Sequence, residues 1–462
     1  MKKVISLVGA LALAGAGLAA ETETAAEKEA RMAWWTNDRF GMFIHFGLYS
    51  LPARHEWVKS IEQRTNADYD RYLKWFDPDL FDARDWARQA KAAGMKYVVL
   101  TTKHHEGFCL FDSTFTQYKS TNTPFGRDIV KEFVEACRAE GLKVGFYYSL
   151  PDWHHPEFPV DRYHPQRPVK CGPWDQAGME GPEEPWNKLN ANRHMERYRD
   201  YLYGQVTELL TKYGKIDLIW FDFTMPGVRT KHPEDWQSEK LLALVRKLQP
   251  DIVINNRISE HGSDIMLGDF TTPEQELPTK WVEFGGKRVP WELCQTFSGS
   301  WGYHRDERTW KSPHQLLELL VSCVARGGNL ILNVGPTGRG NFDYRAQDRL
   351  KAIGDWMALN ERSVRGCTAA PAEFTAPKGT VLTYNPKTNR LYIHLLDYKP
   401  SAHGYFPLDF MDKIEYAQFL HDASEIKLQR TGVEEAPKGG FILPHQKPMV
   451  EVPVIECMLK IK

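Results

Sequence analysis

From Arg31 to about Leu359, short apolar runs alternate with stretches of helical spacing, and this alternation constrains the fold more than any other feature of the chain. Apolar runs of four to eight residues bounded by turn residues read as strands buried on both faces, and helical crossovers between them make such a sheet parallel. The first run is Phe40–Gly47, followed by Lys96–Thr102, Lys143–Ser149, Ile216–Asp222 and Asp251–Arg257. Ile265–Asp269, Glu292–Thr296 and Asn329–Asn333 complete a set of eight. Helical spacing over Phe81–Ala93 stops at Gly94, and the helix Asp128–Glu140 stops at Gly141, both C-terminal signals. Further helices are predicted around Tyr198–Thr211 and over Gln237–Leu248. The pattern predicts a (β/α)8-type, TIM-like barrel in the α/β class.

After about Gly366 the pattern changes to short strands separated by Pro, Gly, Asn and Lys: Thr380–Tyr384, Arg390–Leu395, Ile414–Phe419, Ile426–Leu428 and Val450–Lys460. These predict a small C-terminal antiparallel β-sandwich. Three segments follow: 1–20, 21–365 for the barrel and 366–462 for the sandwich. Segment 1–20 has basic Lys2 and Lys3, an apolar stretch from Val4 to Leu18, and the small pair Ala19 and Ala20, the three parts of an export signal. No cysteine stands at the cleavage site, so the expectation is export to a periplasm or the medium without a lipid or membrane anchor. The seven cysteines are scattered without CxxC spacing, which gives no zinc-ribbon or disulfide-scaffold pattern. Balanced charge, 59 basic against 60 acidic residues, leaves no electrostatic footprint for nucleic acid.

The chemistry is concentrated where a barrel places it, at the carboxyl ends of strands. Asp222 ends an otherwise apolar run, a position that competes with a simple helix N-cap. His45 ends the first strand, Glu56 and Trp57 follow in its loop, and His104 and His105 end the second. Tyr147 ends the third strand, on the inward side with Gly145, and Arg257 ends the fifth. Glu274 and Glu276 lie in the next loop, where a solvated role competes with a catalytic one. Adjacent His104 and His105 point to opposite sides of a regular strand, so both serve one site only at a distorted strand end. A carboxylate pair with donors for hydroxyl groups is what glycoside hydrolysis requires. On this reading Asp222 is the nucleophile, held ionised by Arg257, and a glutamate in a less polar setting is the acid. Fifteen tryptophans suit sugar stacking, and equally a large aromatic core. Metal binding by His45, His104, His105 and Glu106 is the rival, without HExxH or two-His-one-carboxylate spacing in its support. His154 and His155 are read as loop surface. The Pro-, His- and Trp-rich stretch 154–190 is longer than an idle loop usually is.

Taken together, Trp35–Gly47, Glu56 with Trp57, Lys96–Phe108, Gly145–Leu150, Trp220–Asp222, Ser300–Tyr303 and Arg326–Pro336 resemble the retaining α-L-fucosidases of glycoside hydrolase family twenty-nine. The resemblance implies a barrel with a C-terminal β-sandwich, exo-action on terminal α-L-fucose of a glycan, and no metal or other cofactor. It places the nucleophile on Asp222, fucose-hydroxyl binders on His45, His104, His105, Tyr147 and Arg257, and an early pocket pair on Glu56 and Trp57. The acid/base falls on Glu274, with Glu276 in reserve. The chain departs at Phe223, where many members carry a small residue, on the leaving-group side. Action on another L-sugar such as α-L-galactose or on sulfated fucose, and a carbohydrate-binding relative without turnover, are the alternatives. Arg229 and Lys231 are basic residues suited to sulfate, and are read as a solvated face.

Overall fold

A computed structural model of the protein describes residues 23–175, 179, 181–259, 266–401, 403–432, 434 and 438–460. The segment read as an export signal, and residues 260–265, the last of which opens the expected sixth strand, lie outside the described residues.

Seven parallel strands form one curled sheet: β1 (Phe40–Ile44), β2 (Tyr97–Lys103), β3 (Lys143–Ser149), β4 (Leu218–Asp222), β5 (Val253–Ile254), β6 (Glu292–Thr296) and β7 (Asn329–Val334), in the order β5-β4-β3-β2-β1-β7-β6. The sixth of the eight expected strands is not a strand. Its place between β5 and β6 is taken by single parallel bridges, Asn255 to Phe270 and Thr271 to Trp291, which carry the sheet round towards closure. The expected barrel is therefore present, with a minimal sixth stave that begins one residue beyond Asp269. Asp269 itself is held by the guanidinium groups of Arg31 and Arg246 at 2.8 and 2.6 Å, which turns the chain before Phe270.

Every position of β1, β2, β4, β6 and β7 is buried, as the unbroken apolar runs require. The period of two still sorts the side chains. Phe43, Val99, Tyr147, Leu218, Trp220, Val253, Phe270, Cys294 and Ile331 form one cluster inside the barrel. Met42, Ile44, Val98, Leu100, Phe146, Ile219, Ile254, Leu330 and Leu332 belong to the larger core shared with the surrounding helices. Since Leu218 and Trp220 point inward, Asp222 two residues on follows them. A helix not anticipated from the sequence, Ala25–Asp38, is capped by Thr24 and Glu27 in a capping box and adds Met32 and Trp35 to the inner cluster. The expected crossover helices are present as Ala83–Ala92, Ile129–Ala139, Met195–Lys212 and Ser238–Leu248, the first two capped by Asp82 and Asp128.

The C-terminal part is antiparallel throughout. Five strands pair in the order Thr368–Ala369, Thr380–Asn385, Arg390–Leu395, Val454–Leu459, Ile414–Phe419, and a three-stranded sheet orders Tyr405–Pro407, Gly440–Ile442, Lys427–Gln429. Both sheets contribute to one core that includes Leu391, Ile393, Phe406, Phe441 and Ile455. All seven cysteines are free.

Candidate active site

The strand ends surround a cavity of about 330 Å³, and every residue proposed from the sequence lines it except Glu276. Asp222 closes β4 at its floor, 8% exposed. One of its oxygens, Oδ2, accepts the Tyr147 hydroxyl at 2.8 Å and faces His105 Nε2 at 3.7 Å. The other, Oδ1, accepts Arg257 Nη1 at 3.0 Å. The same guanidinium gives Nη2 to Glu274 Oε2 at 2.6 Å, so one planar cation bridges both carboxylates. Arg257 lies over the Trp220 ring at 4.5 Å, and its Nε is taken by Thr272 Oγ1 at 2.9 Å, which fixes the fork. These contacts dispose of the N-cap alternative for Asp222: its carboxylate is turned into the cavity rather than towards a following helix.

Burial pushes the Asp222 carboxyl up from the ordinary aspartate value, against the opposing pull of Arg257; the nearby Glu274 charge pushes the same way as burial. The expected pairing with Arg257 is therefore present, but desolvation sets the net direction. Glu274 differs from the expectation more plainly. It is 40% exposed at the rim and ion-paired, not enclosed in a less polar setting. Its backbone is pinned to β6 by a bridge to Cys294, and Gln275 follows at φ 61° with its N–H donated to the Cys294 carbonyl at 3.0 Å. Glu276 is exposed beyond that turn and outside the lining. Of the other acids near this loop, Asp269 is occupied by its two arginines, and Glu283 lies exposed in the hairpin Glu283–Phe284/Lys287–Arg288 beside Lys280.

The second strand is distorted where both histidines are needed. Its register with β3 shifts between Thr101 and Lys103, and Lys103 turns outward to Asp152 at 3.3 Å and to the Tyr148 ring. His104 and His105 follow, both buried, and both line the cavity. His105 Nδ1 meets Ser149 Oγ at 2.7 Å, whereas buried His104 Nδ1 has no protein hydrogen-bond partner among the described residues. His45 Nδ1 is bound to Asn333 Oδ1 at 2.6 Å. Glu56 lies under the rim, where Oε2 accepts the Trp301 and Gly302 N–H groups at 3.1 and 2.9 Å and Oε1 faces His55 at 3.3 Å. It holds the loop that carries Trp301 over the His45 ring, 5.2 Å between centroids.

Two contributors were not singled out as site residues. Asn333, the polar end of β7, orients His45 and holds the Trp301 carbonyl at 2.6 Å; the strand-end logic that isolates Asp222 applies equally to it. Trp301 lies in the Ser300–Tyr303 stretch that shares in the resemblance, but its loop has no periodicity, so its place over His45 shows only in the tertiary structure. Three lining residues, His55, Phe223 and Gln275, hold positive φ angles of 94°, 85° and 61°, a backbone cost that concentrates at working sites. Arg229 and Lys231 are not a solvated face. Arg229 is spent on the Met179 and Gly181 carbonyls and Glu183, and Lys231 on Asp161 and the Phe158 ring, so neither is offered to sulfate. His154 is stacked on Tyr118 at 3.7 Å, and His155 packs on Tyr201, so both are half-buried packing residues and not loop surface. Among the described residues no group of three or more His, Cys, Asp or Glu side chains is placed to hold a metal ion.

Burial pushes His45 down to about 3, and His104 and His105 well below the ordinary histidine value, so all three are neutral donors or acceptors at working pH. His394 of the C-terminal sheets is also pushed down to about 3. Below about pH 6.5 the unfolded chain binds protons that these folded imidazoles refuse. Stability is therefore full above that value and falls as the pH drops towards about 3, by about 1.4 kcal/mol per pH unit for each histidine. Urea midpoints taken from about pH 7 downwards will show this decline. His394→Gln, remote from the cavity, will flatten the slope and leave turnover unchanged; an unaltered slope would refute the assignment.

A family model described as α-L-fucosidase matches residues 14–362. The structure of α-L-fucosidase isoenzyme 1 from Paenibacillus thiaminolyticus is 42% identical, with a TM-score of 0.83 over 94% of this chain and 99% of that one. A Bacteroides thetaiotaomicron α-L-fucosidase of glycoside hydrolase family twenty-nine, trapped as a covalent intermediate with 2-fluoro-fucosyl fluoride, is 26% identical at a TM-score of 0.78, covering 94% and 96% of the two chains. Human plasma α-L-fucosidase is 27% identical over 451 residues, 91% of this chain and 85% of that protein. With the family model covering most of the barrel and the solved relatives sharing the whole fold, the chain belongs to the α-L-fucosidase family of glycoside hydrolases.

Proposed function

We propose that this protein is an exo-acting, retaining α-L-fucosidase that releases terminal α-L-fucose from fucosylated glycans, with Asp222 as nucleophile and Glu274 as acid/base. The observation that carries the reading is the pair of carboxylates bridged by Arg257, one on the floor of the cavity and one at its rim. In the first step an Asp222 oxygen bonds to the anomeric carbon as the glycosidic C–O bond breaks, and Glu274 gives its proton to the departing oxygen. In the second, Glu274 takes a proton from water, the water oxygen bonds to the anomeric carbon, and the ester to Asp222 breaks. Two inversions leave the α configuration.

Arg257 links the two roles. When Glu274 is protonated its bond to Nη2 weakens, and the cation is left to the nucleophile carboxylate. Tyr147, held protonated by burial, donates to the same carboxylate and keeps it aimed. His45, His104, Trp57 and Glu56 would position the sugar. A wall of Phe43, Trp220 and Trp301 supports a 6-deoxy sugar, because aromatic rings suit an apolar C6 methyl better than a hydroxyl.

Turnover of an aryl α-L-fucoside, followed by proton NMR, tests the reading. The α anomer of fucose will appear first, EDTA will leave the rate unchanged, and α-L-galactoside will be turned over more slowly. First release of the β anomer would mean inversion, and loss of activity on chelation with recovery on adding zinc would restore the metal reading. We also propose a division into barrel (21–365) and sandwich (366–462), with export directed by residues 1–20. Among the described residues no helix is long and apolar enough to cross a membrane.

A further inference from the structure

We infer that Trp174 is the platform on which the leaving-group sugar of the substrate stacks, and so a determinant of which fucosides are cleaved; the inference rests on the fucosidase reading above. The floor of the cavity is closed: His45, His104, His105, Tyr147, Trp220 and Asp222 are each 8% exposed or less. A terminal fucose seated there can be continued only outwards, past the rim that holds Glu274, whose proton the departing oxygen must receive. Among the described residues Trp174 is the one large apolar side chain that both lines the cavity and is exposed, at 55%.

Its ring is exposed but not loose. It packs on Trp57 at 4.8 Å, Tyr163 at 5.0 Å and Phe223 at 6.2 Å between centroids, with tilted planes. The loop beneath it is tied by Arg162 Nε to the Pro173 carbonyl at 3.3 Å and by Arg167 Nη2 to the Cys171 carbonyl at 2.7 Å. An aromatic face left open to water at the mouth of a sugar site, and held by buried neighbours, suits the C–H face of a pyranose and gains by covering it. Phe223 supports it from below. Despite its positive φ of 85°, that position carries a ring that fills the space between His105, Tyr163 and Trp57, which a small residue would leave empty.

The test compares two substrates in wild type and Trp174→Ala: a fucosylated disaccharide, which has a sugar to stack, and α-L-fucosyl fluoride, which has none. The variant will lose about three- to tenfold in kcat/KM for the disaccharide, the worth of one aromatic contact. For the fluoride it will stay within about twofold, and Trp174→Phe will recover most of the disaccharide rate. Equal losses on both substrates would mark Trp174 as a support for Trp57 and overturn the inference, as would no loss on either. Failure of the wild type to turn over the fluoride would instead overturn the fucosidase reading, and the inference with it.

Discussion

Asp222→Ala is expected to fold normally and to lose more than about 10⁴-fold in kcat/KM, as removal of a nucleophile that forms a covalent intermediate does. Loss of fold is not expected, because the side chain sits at the open end of β4 and its removal uncovers partners that remain satisfied elsewhere: Arg257 keeps Glu274 and Thr272. Buried Tyr147 loses its acceptor, which a water in the vacated space can replace. Azide admitted to that space attacks from the side opposite the leaving group and gives the β-fucosyl azide from an activated fucoside. Circular dichroism and a thermal melt establish the fold, and product NMR establishes the azide's configuration. A folded variant with wild-type turnover would remove Asp222 from the mechanism.

Glu274→Ala separates substrates by leaving group. A positioned acid contributes roughly 10²–10⁴-fold when the leaving group is poor and little when it departs unaided. The variant should therefore lose about that factor in kcat/KM on a natural disaccharide and far less on an activated aryl fucoside. Azide should restore turnover by replacing water in the second step, and the product is then the α azide. Loss of Glu274 also frees Arg257 Nη2 and removes a neighbouring negative charge that pushes the Asp222 carboxyl upward. The acid limb of the pH profile should consequently move to lower pH. Glu276→Ala, outside the cavity, should behave as wild type in each measurement. If the two variants exchange behaviour, the acid is Glu276 and the rim loop rearranges on binding.

How much of this was legible without coordinates depended on whether the signal was local. Strand ends were: a carboxylate, an imidazole or a phenol at the end of an apolar run stands out against the apolar pattern of a parallel sheet, and Asp222, His45 and Tyr147 all line the cavity. Helix stops at Gly94 and Gly141 were readable because positive φ at a C-terminus is a property of the residue type. The sixth stave was misplaced because its residues pair by single bridges on either side, and Asp269, which looked like part of a strand, is instead an anchor for Arg31 and Arg246.

Electrostatic surroundings were the least legible. Arg229 and Lys231 looked like solvent-facing charge because nothing local indicates that Met179, Glu183 and Asp161 close over them. Glu274 lines the cavity, but its ion-paired, half-exposed environment is not legible locally, since its pairing with Arg257 joins residues seventeen apart through a loop of no period. The helix Ala25–Asp38 escaped notice because its inward face holds only Met32 and Trp35, too few to show an apolar stripe.

The central claim, that Asp222 is the atom donor to a fucosyl-enzyme ester, is tested most directly by trapping that ester. Incubation with 2-deoxy-2-fluoro-α-L-fucosyl fluoride slows breakdown of the ester, and peptic digestion with tandem mass spectrometry locates the added sugar. The account predicts a single fluorofucosyl adduct on the peptide spanning Ile216–Met225, with fragment ions placing it on Asp222. An adduct on Glu274, on Glu56 or on any other residue would contradict it.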